Sequence, residues 1–426
     1  MPVSAADRPL GDADLPDPEL PDPELIESAR RALSSIPGQG CVGLAVSGGG
    51  DSMAMLHLMA GVAQRPLAVA TVDHGLRAAS GAEAAGVAQV CAGLGLPHEV
   101  LHWQHGPVAG NLMDAARRAR YGLLAGWAAA RGIDTVLVAH TADDQAETLF
   151  LGLARAAGLD GLSGMRPRWQ QGGVWFQRPL LGVTRAALRG FVQGRGLWFV
   201  DDPSNEDAGF DRVKMRRALA GLSEVGITAE GLANVARNLA AVQGDLRAMV
   251  AEAAARLVVE QAGALRIDRA GFAALPGELA RRLMQAGLMW LSGAAYPPRA
   301  DALARMVQAM AEGRAATLWG CRLVPGAGSA LLVREPRHLG RQVALGDVWD
   351  GRWRVTGPGD GTVRAVGPEG LAQLPDWRAA GISRAAALVT PGVWQGARLV
   401  AAPILTPDDD FTATSTAGFG LFLLSH

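Results

Sequence analysis

Four short apolar runs between residues 41 and 140 alternate with segments of helical spacing, and this alternation restricts the fold more than any other feature of the sequence. The runs are CVGLAVS, LAVATVD, HEVLHW and DTVLVAH. Short strands that alternate with helices build a parallel sheet, because each helix returns the chain to the edge from which the next strand starts. The segment is therefore predicted to be an α/β domain with a doubly wound parallel sheet.

The character of the sequence changes along its 426 residues, and the changes predict four regions. Residues 1–24 are acidic and proline-rich without periodic apolar residues, which is typical of a flexible tail. Residues 25–222 carry the α/β pattern. Residues 223–335 are alanine-rich with apolar residues every three or four positions, which predicts a mainly helical domain. From about Thr317 the chain turns to short β-like pieces separated by Gly and Pro, and these predict a small mixed α/β domain whose bounds are placed at residues 336–426.

Charge and cysteine content exclude several classes of protein. The formal net charge is −1, so nucleic acid could be bound only through local arginine clusters. The three cysteines are scattered and odd in number, which argues against a disulfide framework, a zinc site and a CxxC pair. No uncharged apolar run reaches the length of about 18 residues that a membrane helix needs. We therefore expect a cytoplasmic protein that does not span a membrane.

The sequence SGGGDS, residues 47–52, links the first apolar run to the helix that follows it. Ligands of open parallel sheets bind beyond the carboxyl ends of the strands, where this turn lies. Its glycines would let the backbone approach a phosphate, and the hydroxyls of Ser47 and Ser52 could donate to it. No lysine follows, which excludes a Walker A loop, and the spacing does not fit GxGxxG. The turn is interpreted as a phosphate site; the alternative is a simple glycine-rich turn with Asp51 as a helix cap.

Acidic side chains follow other strands at the same expected edge. Asp73 ends the second strand, and Asp143, Asp144 and Glu147 follow the fourth. Three carboxylates beside a polyphosphate loop are what a Mg²⁺ ion bridged to ATP oxygens needs. The alternative is favourable placement of acids at a helix N-terminus capped by Thr141. We favour the metal or nucleotide interpretation.

These segments resemble the PP-loop ATP pyrophosphatases, whose signature is SGGxDS. Within that superfamily the chain is similar to the tRNA(Ile)-lysidine synthetase family over about residues 41–217. The motifs that carry the likeness, in the family's order, are VDHGLR, ARRARY, HTADDQAET, RAAGLDGLSGM, RPLL and DDPSNED. Thr141 stands where many members have a second histidine and is assigned no role.

The resemblance implies a two-step ligation. ATP adenylates the C2 carbonyl oxygen of the anticodon wobble cytidine in an isoleucine tRNA, and the amine of free lysine then displaces AMP to form lysidine. The implied cofactors are ATP and Mg²⁺, and the implied partners are isoleucine tRNA and lysine. Residues 223–335 would contact the tRNA, and the C-terminal domain is a second candidate for that contact.

The resemblance also assigns roles to single residues. The expected catalytic residues are Asp51, Arg117, Arg120 and Asp144, and the two aspartates are also the expected metal ligands. The expected nucleotide-binding residues are Ser47, Gly48, Gly49, Gly50, Asp51, Ser52, Asp73 and His140.

Two arginine groups are expected at phosphates. Arg117 and Arg120 lie three residues apart on a helix expected to be capped by Asn111, the alternative being an exposed arginine face. A second basic group alternates with apolar residues and suits either an RNA phosphate surface or the edge of an amphipathic helix. Its members are Arg212, Lys214, Arg216 and Arg217.

The alternative functions are those of a tRNA thiolase, an amidotransferase and a nucleotide-binding regulator. A tRNA thiolase of the superfamily usually needs paired cysteines, and an amidotransferase member carries a glutaminase domain with a cysteine nucleophile; neither cysteine pattern is present. A non-catalytic regulator that binds adenine nucleotides would need only the sheet and the glycine turn. The acids at 143, 144 and 147 and the arginines argue against it.

Overall fold

The computed structural model describes residues 23–75, 80–106, 112–201, 211–294, 296–407, 410–415 and 418–425. The predicted tail at residues 1–24 therefore falls outside it except for its last two residues, which begin a helix. Three other predicted features also lie outside the described residues: Arg77 of VDHGLR, the cap at Asn111 and the DDPSNED motif after Asp201.

The chain divides into two compact units, residues 1–243 and 244–426. The boundaries predicted at residues 222 and 335 remain predictions. The first unit contains, in order, α1 (Pro23–Ser34), β1 (Val42–Ala45), α2 (Gly50–Val62), β2 (Leu67–Asp73), α3 (Ser80–Gly93), β3 (His98–His102), α4 (Leu112–Ala130), β4 (Thr135–Val138), α5 (Ala142–Ala154), α6 (Leu159–Leu162), β5 (Arg168–Gln171), β6 (Val174–Gln177), α7 (Arg185–Gly194), α8 (Asp211–Leu222) and α9 (Ala229–Leu257), inside which the unit boundary falls.

The sheet of the first unit has the strand order β3-β2-β1-β4-β6-β5. All neighbours are parallel except β5, which pairs antiparallel with β6 at the edge. The four strands predicted from the sequence are thus confirmed as β1 to β4. Because β1 lies between β2 and β4, the ends of these three strands bring their following loops together at one edge.

Side chains on the two faces of the sheet belong to two separate apolar cores, as alternation along a strand requires. Val42 and Leu44 of β1 pack with α1, α2, α3 and α7. Ala45 of the same strand packs with α4, whose Tyr121 and Trp127 are buried there. Both faces of the sheet are therefore covered by helices, which confirms the doubly wound α/β fold.

The second unit combines helices with three sheets of short strands. After the end of α9 come β7 (Val258–Gln261), β8 (Ala264–Asp268), α10 (Arg269–Ala273), α11 (Gly277–Ser292), α12 (Ala300–Glu312), β9 (Ala316–Leu318), β10 (Cys321–Pro325), β11 (Ser329–Arg334), β12 (Val343–Ala344), β13 (Val348–Trp349), β14 (Trp353–Thr356), β15 (Thr362–Ala365), α13 (Gly367–Gln373), α14 (Arg384–Ala387), β16 (Pro391–Gln395), β17 (Arg398–Ala401), β18 (Thr412–Ser415) and α15 (Phe419–Ser425).

Strands β7 and β8 lie in the region that was expected to be mainly helical, and they were not predicted. They pair with each other as an antiparallel hairpin. On its other side, β8 pairs antiparallel with β11 from Ser329 to Leu332. The full order of this sheet is β7-β8-β11-β10-β9. The remaining strands form sheets β12-β15-β16-β17 and β13-β14-β18. In the described parts of the chain every helix is too short or too polar to cross a membrane.

Helix α2 is buried around its whole circumference and contains a histidine without polar partners. His57 is 2% exposed, and neither ring nitrogen has a hydrogen-bond partner among the described residues. Burial lowers the pKa of His57 from 6.5 to about 4. The folded chain therefore keeps this ring neutral at a pH at which the unfolded chain already protonates it.

We expect acid to destabilise the first unit through His57. The unfolded chain takes up a proton as the pH falls through 6.5, whereas the folded chain does so only near 4, so stability is lost across that window. The full loss is about 3 kcal/mol. His57→Leu should make the melting temperature fall less between about pH 7 and about pH 5. The control is His102→Gln, at an exposed ring; equal pH dependence of the parent and His57→Leu would contradict this assignment.

Candidate active site

The turn after β1 is held in shape by its own hydrogen bonds. Ser52 Oγ accepts the Ser47 N–H at 3.1 Å and donates to the Gly49 carbonyl at 2.9 Å. Gly48 has φ +89, a left-handed conformation that favours glycine, and its carbonyl accepts the Val200 N–H at 2.9 Å. The loop is thus formed before any ligand arrives. Ser52 is buried and braces it, whereas Ser47 is exposed.

The N-terminus of α2 is open to an anion. Gly49 is the N-cap, and no described side chain caps the helix there. The first N–H groups of a helix have no partner within the helix, so they are available to phosphate oxygens. A β-carbon built at Gly49 would meet only Ser47 Oγ, at 3.8 Å, which leaves open space beside the backbone. This geometry suits a polyphosphate held by backbone donors.

Next to this loop, one guanidinium joins carboxylates from two helices. Arg185, the first residue of α7, lies 3.2 Å from Asp51 of α2 through Nε, and 3.0 Å and 3.5 Å from Asp144 and Glu147 of α5 through its terminal nitrogens. The Arg185 backbone N–H also donates to Asp143 Oδ2 at 2.6 Å. We call these four acids and Arg185 the acid cluster. Asp51 and Asp144, predicted to act together, therefore share one counter-ion.

Burial and the ion pairs shift the pKa values of Asp51 and Arg185 in opposite directions. Burial raises the pKa of Asp51 above its usual 3.8, and Arg185 opposes that rise. Burial alone would lower the pKa of Arg185, but the carboxylates, Asp144 first, outweigh it and raise the pKa above its usual value. The guanidinium therefore remains charged at neutral pH and stabilises the ionised acids.

Arg185 was not predicted from the sequence, although a local feature distinguishes it. A cation in the first turn of a helix is opposed by the helix dipole, and α7 begins with this arginine after its Thr184 cap. Such a placement needs anions nearby, and α2 and α5 supply them.

Asp144 also has the structural role that was considered as an alternative. Thr141 is the N-cap of α5, and its N–H donates to Asp144 Oδ2 at 2.8 Å, while its hydroxyl accepts from the Asp144 N–H at 3.4 Å. This capping box fixes the carboxylate, and its other oxygen, Oδ1, contacts Arg185. The two interpretations are therefore compatible. Asp51, by contrast, lies inside α2 and is not its cap.

Glu147 connects the acid cluster to α8. Its Oε1 accepts from Arg216 Nε at 2.6 Å, so Arg216, expected at RNA phosphate, lies in an ion pair here. Its Oε2 is buried and has no hydrogen-bond partner among the described residues. Of the other members of that basic group, the side chains of Arg212, Lys214 and Arg217 lie outside the described residues. Their expected contact with RNA stays a prediction.

His140 lies between the acids and a group of arginines. Arg178 Nε donates to its Nδ1 at 3.1 Å. Burial first, and then the charges of Arg178, Arg120 and Arg117, lower the pKa of His140 to about 3, while Asp144 opposes them. The structure thus places the two predicted arginines of α4 near the predicted histidine.

Two other residues from the sequence analysis lie apart from the acid cluster. Asp73 accepts the Gly75 N–H at 2.9 Å, which lowers the pKa of its carboxyl below 3.8, and its Oδ2 lies 3.6 Å from His102. Its expected role at the nucleotide stays a prediction. Tyr121, the last residue of the ARRARY motif, packs edge-on to Trp169 and Phe176 in the apolar core.

Comparison of the sequence with known proteins identifies the family of the chain. A family model described as a PP-loop domain matches residues 22–222. A tRNA(Ile)-lysidine synthase of Ruegeria pomeroyi is 48% identical over 395 residues, which cover 90% of this chain and 94% of that protein. The chain belongs to the tRNA(Ile)-lysidine synthase family.

Other tRNA(Ile)-lysidine synthases are similar over shorter ranges. The protein of Methylobacterium sp. is 40% identical over 70% of this chain and 90% of its own length. That of Hyphomonas neptunium is 38% identical over 66% of this chain and 78% of its own length. The family assignment confirms the resemblance inferred from the motifs and makes the chain a PP-loop ligase.

We expect Arg185→Met to destabilise the first unit, because Asp51, Asp144 and Glu147 lose their shared cation. The loss should be about 2–3 kcal/mol, below the value for a fully buried pair because the arginine is 26% exposed. The matched control is Arg189→Met on the same helix, whose ion pair with Asp201 is largely exposed and is worth at most about 1 kcal/mol. Both are measured as shifts in melting temperature.

A double-mutant cycle tests the cause of that loss. Asp144→Asn should cost about 1 kcal/mol less in the Arg185→Met background than in the parent, since the ion pair is already broken there. Strictly additive effects would show that Arg185 does not act as the counter-ion of Asp144.

Proposed function

We propose that the chain ligates lysine to C2 of the wobble cytidine in the anticodon of isoleucine tRNA, with ATP as the activating substrate and an adenylated tRNA as the intermediate. The observation that carries this proposal is the meeting of Asp51 and Asp144 beside the preformed, uncapped N-terminus of α2. The relatives' printed name, tRNA(Ile)-lysidine synthase, supplies the substrate class.

The first step transfers AMP to the cytidine. The C2 carbonyl oxygen attacks the α-phosphorus of ATP, the bond to the β-phosphate oxygen breaks, and pyrophosphate leaves with the electron pair. Charge develops on the departing pyrophosphate, which would lie against the N–H groups at the start of α2. A preorganised donor at such a position is worth about 3 to 4 kcal/mol. Because the loop is already held by Ser52, little reorganisation is needed.

The acid cluster fits a magnesium ion shared with the nucleotide. Asp51 and Asp144 already contact one cationic group, the Arg185 guanidinium. Among the described residues no three His, Cys, Asp or Glu side chains form a metal cage of their own. Mg²⁺ is usually held by one or two carboxylates, phosphate oxygens and water. When bound, it would neutralise phosphate charge, with Asp51 and Asp144 as its protein ligands.

The second step needs a place for a cationic amino acid. The amine of lysine attacks C2, the bond from C2 to the adenylated oxygen breaks, AMP leaves, and the amine gives up its proton. The buried Oε2 of Glu147, without a partner among the described residues, suits one ammonium group of lysine. This oxygen lies in the same cluster as Asp144, which supports lysine as the second substrate.

The tRNA itself is large, and specific nucleic-acid interfaces bury about 1,000 Å² of protein surface or more. We assign the predicted regions 223–335 and 336–426 to tRNA binding because an anticodon reaction at the first unit leaves most of the tRNA to be bound elsewhere. Cys41, Cys91 and Cys321 are free thiols, which suits a reducing cytoplasm, where tRNA and ATP also are.

The proposed activity is tested by following AMP and pyrophosphate with isoleucine tRNA and lysine. Both should form only with the cognate tRNA, and a tRNA with another wobble base should give neither. A nucleotide-binding regulator would release no pyrophosphate. An amidotransferase would depend on glutamine or another small acceptor in place of RNA, so either result would refute the proposal.

Gly49→Ala should prevent ATP binding without disturbing the fold. Its β-carbon has space in the free protein, where the nearest atom is 3.8 Å away, and φ −71 suits alanine. The methyl group would occupy the side from which pyrophosphate must approach. The control is Gly190→Ala on α7, where a β-carbon meets nothing within 4 Å. Equilibrium binding of ATP and a melting curve separate the two effects; full ATP affinity in Gly49→Ala would refute the loop's role.

Asp51→Asn and Asp144→Asn should instead slow adenylation more than they weaken ATP binding. Both remove charge from ligands of the same metal, whose effect grows as charge develops in the transition state. Single-turnover adenylation with labelled ATP, measured below the melting temperature of each variant, should fall at least about tenfold. Melting curves provide the control for folding, because asparagine has one acceptor oxygen and Asp144→Asn loses its hydrogen bond either to Thr141 or to Arg185. Parental adenylation rates in both variants would leave these acids only structural roles.

A further inference from the structure

Two polar side chains follow neighbouring parallel strands and meet at the edge of the sheet that carries the loop. His140 comes two residues after the end of β4, and Arg178 comes directly after β6. The strands pair in parallel from Thr135 with Trp175 to Leu137 with Gln177, which brings both side chains to the same edge. There Arg178 Nε lies 3.1 Å from His140 Nδ1.

The direction of this hydrogen bond is fixed by chemistry. A guanidinium has only donors, so the nitrogen that receives its N–H has to offer a lone pair. In neutral imidazole one nitrogen carries the proton and the other accepts. His140 Nδ1 is therefore unprotonated, and the proton of the neutral ring is on Nε2.

Arg178 is itself held so firmly that it cannot easily turn away. It is 7% exposed, and its guanidinium carbon lies 3.8 Å from the centre of the Trp169 ring. Trp169 stacks in turn on Phe176, with ring centres 5.1 Å apart. Another nitrogen of Arg178, Nη1, donates to the carbonyl of Arg166. The core behind β6 thus determines where Arg178 Nε points.

The choice of tautomer decides what His140 can bind. Phosphate oxygens accept hydrogen bonds and donate none, so Nε2 meets a phosphate favourably only if it carries the proton. In the other tautomer a lone pair would face the lone pairs of the oxygen. Nε2 of His140 makes no hydrogen bond to any described residue, and the charged groups around the ring are Arg178, Asp144, Arg120 and Arg117.

We propose that Arg178 is a positioning residue that fixes His140 as the Nε2–H tautomer, and that His140 then donates a neutral hydrogen bond to a phosphate oxygen of ATP. The inference rests on the proposed function for the identity of the nucleotide. It adds a role for Arg178, which the sequence motif RPLL contains but did not explain. The lowered pKa of His140 agrees with it, since the ring stays neutral at neutral pH.

The tautomer is measured first, on the full-length protein without substrates. Nitrogen-15 NMR of the labelled histidines should show an unprotonated Nδ1 and a protonated Nε2 for His140, identified by the signal that disappears in His140→Gln. Arg178→Met should give a mixture of tautomers, and Arg178→Lys, which can still donate, should restore part of the Nε2–H form. A protonated Nδ1 in the parent would overturn the proposal.

A pair of histidine variants tests the consequence and leaves Arg178 in place, so a folding defect at the buried arginine does not affect it. The amide nitrogen of glutamine can reach the position of Nε2, whereas that of asparagine reaches only the position of Nδ1. His140→Asn should therefore weaken ATP binding by about tenfold or more, and His140→Gln clearly less. Melting curves of both variants provide the control for folding. Equal losses of affinity in the two variants would overturn the proposal.

Failure of this inference can be told apart from failure of the proposed function. The tautomer and the ATP affinities are measured without tRNA or lysine. If the parent forms no lysidine but shows the Nε2–H tautomer and the expected order of affinities, the role of Arg178 stands and the substrate assignment falls. If lysidine forms but the parent carries the ring proton on Nδ1, the substrate assignment stands and the role of Arg178 falls.

Discussion

The arrangement of the first unit depends on a single guanidinium that three helices share. Arg185 begins α7 and contacts Asp51 at the start of α2 and Asp144 and Glu147 at the start of α5. Acids are stabilised at helix N-termini, but three of them together repel one another unless a cation lies between them. The ion pairs therefore reduce the repulsion between the carboxylates that α2 and α5 present beside the loop after β1.

The parts of the site that the sequence could predict are those whose residues lie close together along the chain. Asp51, Asp144 and the glycines belong to motifs within six to nine residues of chain, and their geometry follows from a strand, a tight turn and a helix start. Arg185 and Arg178 lie far along the chain and reach the site only because β4 and β6 are neighbours. No local pattern reveals that neighbourhood.

Pairing between distant segments also limited the prediction outside the site. The β7–β8 hairpin was not predicted because its few apolar residues follow a long alanine-rich helical pattern. Its strand β8 is stabilised by pairing with β11, which lies about sixty residues further along. Local patterns sufficed for β1 to β4 because each is a buried run in the order of a doubly wound fold. They fail where pairing between distant segments decides the structure.

The described site has a negative side and a positive side, and His140 lies between them. Four carboxylates on one side face two guanidiniums, Arg185 and Arg216, which leaves that side negative when all are ionised. The other side carries Arg117, Arg120 and Arg178. The first side therefore favours cations, and the second side favours anions. A charged imidazole between them would add repulsion to the arginines, whereas a neutral ring with a fixed N–H can bind phosphate without it. Burial first, and the charge of Arg178 next, keep the ring neutral, and the hydrogen bond from Arg178 sets its tautomer.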